Sequence, residues 1–224
     1  MNFLSHFYFE KNTESSERIT GTVLPDLIRN VNSQWKIHPQ KTPYLFEDQQ
    51  RLNNLLLGWQ RHLDVDRIFH SSSFFMEKTN ELKRLIIPIL KDSPVRPSFL
   101  SHIGLELLLD HLLIVHRKIE IEIFYQHLAQ TNQDVIHSFL EKCNIENASS
   151  FFPFFNRFIA SKYLLSYQKI ENISYALERI CMRLWLSPFT NPMKEDLTKV
   201  LEFYKKNLEV DFMVIFEKIE SRLI

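Results

Sequence analysis

Glycine is scarce in this chain of 224 residues: Gly21, Gly58 and Gly104 are the whole supply. A β-rich fold of this length needs more glycine for its turns. No GxGxxG or Walker pattern occurs, which excludes the common nucleotide-binding folds. Cysteine is scarcer still, with Cys143 and Cys181 in neither a CxxC pair nor a metal-finger spacing. A reducing compartment and no disulfide framework are expected. An excess of charge is also lacking, because 27 basic residues balance 27 acidic ones. A general nucleic-acid binder needs a basic face, so no nucleic-acid partner is expected, though a local basic patch stays open. The start, MNFLSHFYFEKN, lacks the basic and long apolar regions of a secretory signal. No uninterrupted apolar run approaches the roughly 18 residues of a membrane span. The expected setting is the cytoplasm.

What the chain does have is 45% hydrophobic residues, enough for one sizeable core, and nine histidines that make its charge sensitive to pH. Apolar residues recur at three and four positions over 48–71, 98–117, 149–167, 173–186 and 194–222, which predicts helices there. Pro39 and Pro43, Pro94 and Pro97, and Pro188 and Pro192 mark breaks. With no internal repeat and no low-complexity linker, the expected architecture is an all-α, single-domain multi-helix bundle over residues 1–224.

Polar residues interrupt the apolar pattern in an ordered way. In SHIGLELLLDHLLIVH, His102, Glu106 and Asp110 recur every four residues and form one stripe, with His111 beside it. Ionisable groups in so apolar a helix are costly unless they pair or hold a metal. A second segment, LLLGWQRHLDVDRIFH, repeats the arrangement with His62, Asp66 and His70. Two inward stripes of imidazole and carboxylate on facing helices are a way for helical proteins to build metal sites. Such mixed ligands suit Mn, Fe or Zn better than Ca, and a divalent cation that acidifies water favours hydrolysis. Near the N-terminus, His6 sits among aromatics, where packing is its ordinary role. Asp26 follows Pro25, where a helix start and an N-cap are expected.

The motifs MNFLSH, GTVLPDLIR, GWQRHLDVD and ELLLDHLL, in this order, resemble the bacterial acyl carrier protein phosphodiesterases, divergent relatives of the HD phosphohydrolases. Members of that family carry MNFLAH, G-N-x-x-x-D-x-x-[RK], G-x-x-x-H-R-x-I-D-x-x-T-D and D-x-x-x-D-H-F-L. With the later segment SKYLLSYQKIENISYALERICMR, the resemblance spans residues 1 to 190 or so. His6, Asp26, His62, Asp66, Asp110 and His111 stand unchanged at family positions, as do Leu164, Tyr167 and Arg183. Glu106 replaces an aspartate and Tyr163 a tryptophan. Thr22, Leu63, Phe69 and His70 depart from the asparagine, arginine, threonine and aspartate of the motifs, and Ser72 and Ser73 replace His-Pro.

The resemblance implies an HD-phosphohydrolase-like fold. It also implies hydrolysis of the phosphodiester joining 4′-phosphopantetheine to a serine of holo acyl carrier protein, within lipid metabolism. The cofactor would be a divalent metal, Mn²⁺ first, with Fe²⁺, Zn²⁺ or Mg²⁺ as alternatives. The candidate catalytic residues are His6, Asp26, His62, Asp66, Asp110 and His111. The candidate metal ligands are Asp26, His62, Asp66, His70, Asp110 and His111. Because acyl carrier proteins are acidic, Arg179 and Arg183 are the expected docking residues, with Arg29 and Lys162 as further candidates. The aromatic run FFPFF, Phe151 to Phe155, belongs to the core or lines a pantetheine channel. The motif departures leave two rivals: a phosphohydrolase of another phosphodiester or nucleotide, and a non-catalytic carrier-protein binding module.

Overall fold

A computed structural model describes residues 1–223. Helices α1 (Phe3–Tyr8), α2 (Ser16–Val31), α3 (Gln50–His70), α4 (Ser73–Ile86) and α5 (Pro97–Val115) come first. They are followed by α6 (Ile121–Gln130), α7 (Gln133–Lys142), α8 (Phe152–Ser161), α9 (Ile170–Cys181), α10 (Asn191–Leu208) and α11 (Met213–Glu220). Short 3₁₀ turns link several of them, and no strand occurs among the described residues. The chain is all-α, as its glycine content and apolar spacing predict. Cys143 and Cys181 are free thiols whose pKa values burial pushes up to about 12.

Contacts divide the chain into two compact units. Unit A comprises Phe3–Asp66 and Ile119–Leu164; unit B comprises Met1–Asn2, Arg67–Lys118 and the chain from Leu165 onward. In unit A, α1 and α2 pack together and α6 packs on both. Fully buried Leu4, Ile19, Leu24, Leu55, Phe124 and Phe139 fill its core. Each such side chain contributes about 1.5–3 kcal/mol relative to exposure. Phe151 and Phe155 stack at 5.3 Å in the same core, while Phe152 and Phe154 of the FFPFF run are only half-buried.

In unit B, α5 lies against α4 and α9, and α10 against both of these neighbours. Helix α5 is long and apolar enough to cross a membrane by length and composition alone, a test the interrupted sequence run did not suggest. Most of it is instead buried, with Leu105, Leu108, Leu109 and Leu112 fully covered. Gly104 leaves room for Leu82 of α4, which a Cβ would approach to 3.0 Å.

Some helix boundaries differ from expectation. The segment 149–167 is not one helix, because Lys162 turns into the left-handed region at φ 43° and ends α8. An ion pair from Lys162 to Glu122 at 2.6 Å and a bond from the Leu164 amide to the Tyr125 hydroxyl hold that strained turn. The segment 194–222 divides into α10 and α11, and 173–186 stops being helical after Cys181. Apolar residues keep their three-and-four rhythm across these turns, so periodicity does not register them. Most consequential for the site, Asp26 is not near a helix start. Ser15 caps α2 by accepting from the Arg18 amide at 3.2 Å, and Pro25 lies well inside that helix.

Candidate metal centre

Two of the three glycines build the first group of candidate residues. A Cβ on Gly58 of α3 would collide with the Arg18 carbonyl oxygen of α2 and lie 2.8 Å from the Gly21 Cα. The two helices therefore cross backbone to backbone, which only glycine at both positions allows. One turn beyond Gly58, and one residue beyond Gly21, that closeness lets His62 Nδ1 meet the Thr22 carbonyl at 2.8 Å. A carbonyl can only accept, so Nδ1 donates. In the neutral imidazole this leaves the lone pair on Nε2. That nitrogen faces Asp66, one turn further along α3, whose Oδ2 is 3.7 Å away.

His6 completes the group. Helix α1 is short but pinned by aromatics, with Phe3 5.1 Å from Phe158 of α8 and Phe7 5.3 Å from Phe124 of α6. His6, completely buried, stacks its ring on His62 at 3.9 Å and 19°. Its Nε2 lies 3.4 Å from Asp66 Oδ1, yet neither ring nitrogen finds a well-directed hydrogen bond. Burial, with His62 alongside, pulls its pKa down to about 3 against the opposing pull of Asp66, so the ring is neutral at pH 7. Burial also works to raise the Asp66 pKa. Nearby positive charge, and after it the His6 and His62 rings, oppose that effect, and the carboxyl stays well below the usual carboxylate range. Two imidazoles and one carboxylate thus offer donor atoms all within 4.8 Å of one another.

Behind this group, Glu10 clamps the chain that follows α1 to α2 and α3. It accepts from Arg18 at 2.9 Å, Arg61 at 2.8 Å and Thr13 at 2.7 Å while almost wholly buried. Burial alone would raise its pKa, but the two guanidinium groups and the hydroxyl hold it low. Arg61 precedes His62, so the clamp also fixes where that histidine starts.

Unit B holds a second group: His70 from the last turn of α3, and His102 and Glu106 one turn apart on α5. His102 Nε2 is 3.0 Å and His70 Nε2 3.3 Å from the same Glu106 Oε1, and the two nitrogens are 3.2 Å apart. Further along α5, Asp110 is fully buried and its Oδ2 accepts from the Asn2 amide at 2.8 Å. His111 donates Nδ1 to the Tyr167 carbonyl at 2.7 Å, which leaves a buried Nε2 without a partner. Burial lowers its pKa more than the Tyr167 bond raises it.

The sequence profile of one family, described as acyl carrier protein phosphodiesterase, matches residues 1–219. The chain belongs to the acyl carrier protein phosphodiesterase family. No curated protein and no solved structure matches it. Membership makes it a phosphodiesterase-type hydrolase with acyl carrier protein as the implied substrate.

Of the residues singled out in this acyl carrier protein phosphodiesterase homologue, the structure brings together His6, His62 and Asp66. His6 is thus more than an aromatic neighbour. Asp26 is half-buried in mid-α2 and is not a member of either donor group. His70 joins His102 and Glu106 rather than the group containing His62. His102 and Glu106 were outside the expected ligand set, although their four-residue spacing was the available signal. Arg179 and Arg183 are exposed at the end of α9 and just beyond it, among exposed Tyr175, Met182 and Leu184. Arg29 is exposed, and Lys162 is engaged by Glu122.

Proposed function

We propose that the protein is a divalent-metal-dependent hydrolase of the phosphodiester between 4′-phosphopantetheine and a serine of holo acyl carrier protein. The observation that carries the metal requirement is His62. Its Nδ1 is committed to the Thr22 carbonyl, so its Nε2 lone pair is aimed at an ionised carboxylate. A cation between that nitrogen and the Asp66 carboxylate would be held by both. An imidazole fixed through its other nitrogen is also how proteins hold metal-ligating histidines. The neutral, hydrogen-bond-poor ring of His6 adds a third donor. His6, His62 and Asp66 would hold the ion, and Mn²⁺, Fe²⁺ or Zn²⁺ suits their donor set better than Ca²⁺. When bound, such a cation acidifies water and offsets charge developing on phosphoryl oxygens.

The chain's own residues supply the rest. Thr22 holds the His62 ring in register, and the His6 ring stacked on it keeps that face dry. Asp66 brings the negative charge that a cation needs for compensation. Asp110 and His111 are assigned to the same reaction by their motif. The Tyr167 carbonyl orients His111 so that its Nε2 can accept a proton. Exposed Arg179 and Arg183, beside apolar side chains, suit an acidic carrier protein whose docking depends on charge.

The test is mass spectrometry of holo acyl carrier protein after incubation with Mn²⁺-loaded protein. The phosphopantetheine mass is expected to disappear, and to persist with chelator or with His62→Gln. Carrier protein that stays intact with the Mn²⁺-loaded protein would overturn the assignment, and a panel of other phosphodiesters would then identify the bond cleaved.

A further inference from the structure

The group formed by His70, His102 and Glu106 is not explained by the reaction proposed above, which the residues around His62 carry. Its three donor atoms make a nearly equilateral triangle with sides of 3.0, 3.2 and 3.3 Å. Ligands about 2.0–2.1 Å from a common tetrahedral ion stand about 3.3 Å apart, so the triangle has the dimensions of one face of such a coordination shell. Hydrogen bonding alone accounts for it poorly. Both imidazoles direct Nε2 at one carboxylate oxygen, and the two nitrogens also crowd each other.

The rings are held from behind. Phe75 of α4 meets both edge-on, at 4.9 Å and 77° for His70 and again for His102. Phe69 adds a second edge contact to His70 at 5.1 Å. His102 and Glu106 are one turn apart on α5, so the helix itself sets their spacing. Rotamers fixed by packing are what a metal site needs before the ion arrives. The amino nitrogen of Met1 touches the same Glu106 oxygen at 3.2 Å and is the group an entering cation would displace.

The group is reached by solvent from its histidine side, where the His70 and His102 side chains are 33% and 42% exposed. His102 lines a cleft of about 510 Å³ shared with Arg96, Ser98, Phe99 and Trp185, and also a smaller one of about 250 Å³ that includes Thr79 and Lys83. Partial exposure of both histidines leaves water able to complete a coordination shell there. We infer that His70, His102 and Glu106 form a metal centre of their own, for a divalent first-row transition ion of the zinc type, with one position left to water. Two imidazoles and a single carboxylate, with no second carboxylate to supply charge, suit Zn²⁺ and its first-row neighbours better than Mg²⁺ or Ca²⁺.

The experiment is a Co²⁺ titration of the chelator-stripped full chain, read by visible ligand-field absorption and by metal analysis of the gel-filtered protein. Zn²⁺ competition follows. His102 has a side chain 42% exposed, so His102→Ala should fold as the wild type does, which circular dichroism checks. His102→Ala and His70→Ala are each expected to lose one metal equivalent, or to weaken it by at least about 100-fold, along with its absorption band. His62→Gln should keep that same band, which separates this centre from the one proposed for hydrolysis. The inference is overturned if wild type binds no Co²⁺, or if both alanine variants match wild type in stoichiometry and spectrum.

Discussion

A histidine ring carries two nitrogens, and in this protein the backbone decides which one is left for chemistry. Thr22 and Tyr167 each accept from an Nδ1, of His62 and His111 respectively, so both rings turn Nε2 away from the main chain. His70 differs in kind, since its Nε2 itself makes close polar contacts, to His102 and to Glu106. Where the related motif has an aspartate, this chain has an imidazole that reaches further from the helix. A glutamate at this position reaches as far as Nε2 does, whereas an aspartate falls short. We therefore expect His70→Glu to retain metal but to move its preference from Zn²⁺ toward Mn²⁺, and His70→Asp to bind both weakly. Competition titrations with the two ions measure this. An unchanged preference in His70→Glu would mean that His70 is not a ligand.

At the scale of elements, the crossing of α2 and α3 is the piece on which the first donor group depends. Gly21 and Gly58 let two backbones touch, and the His62–Thr22 bond is a by-product of that contact. Gly58→Ala places a methyl group against backbone atoms, which cannot rotate aside as a side chain could. The expected cost is about 3 kcal/mol, at the upper end for overpacking. Separation of the helices should also release the His62 ring, so metal affinity falls together with stability. Denaturant melts and a Mn²⁺ titration of Gly58→Ala read the two effects. A stable variant with unchanged affinity would show that the crossing does not orient His62. Gly104→Ala is the contrast: its Cβ meets the flexible ends of Leu82 and Leu177 and no backbone, so a smaller effect is expected there.

For the molecule as a whole, buried ionisable groups predict sensitivity to acid. His6 titrates near 6.5 when unfolded and at about 3 when folded, so between those values the unfolded chain binds the additional proton. Stability is thus full above pH 6.5 and falls as the pH drops toward 3. His111 and His127, also lowered by burial, add to the loss in the same direction. Asp66, Glu10 and Glu106 are held low as well, and their contribution disappears only at more acid pH, below the unfolded carboxylate values. Between pH 6.5 and 5 the histidines therefore dominate, with His6 contributing up to about 1.4 kcal/mol per pH unit. Urea unfolding of metal-free protein at pH 7 and pH 5 should show the decline. His6→Phe, which keeps a ring against His62, should flatten it; an equal slope in the variant would rule out His6 as the source.

The helices α3 and α5 show where the sequence was sufficient. Apolar spacing located both to within a few residues, and the four-residue interval put His62 beside Asp66 and His102 beside Glu106. Those are local facts, fixed by the geometry of a single helix. The same local geometry misleads over longer spans. Each four-residue step drifts about 40° around the axis, so His70 points well away from His62 and meets different neighbours. Pro25 suggested a helix start, but the cap at Ser15 and the packing of α2 carried the helix through it. That His6 would stack on His62, and that His70 would share a carboxylate oxygen with His102, depended on residues distant in the chain. The sequence determined an all-α chain studded with imidazole–carboxylate pairs. Tertiary packing decided which pairs became groups of three, because a third donor must come from another helix brought close by glycine contacts and aromatic stacking.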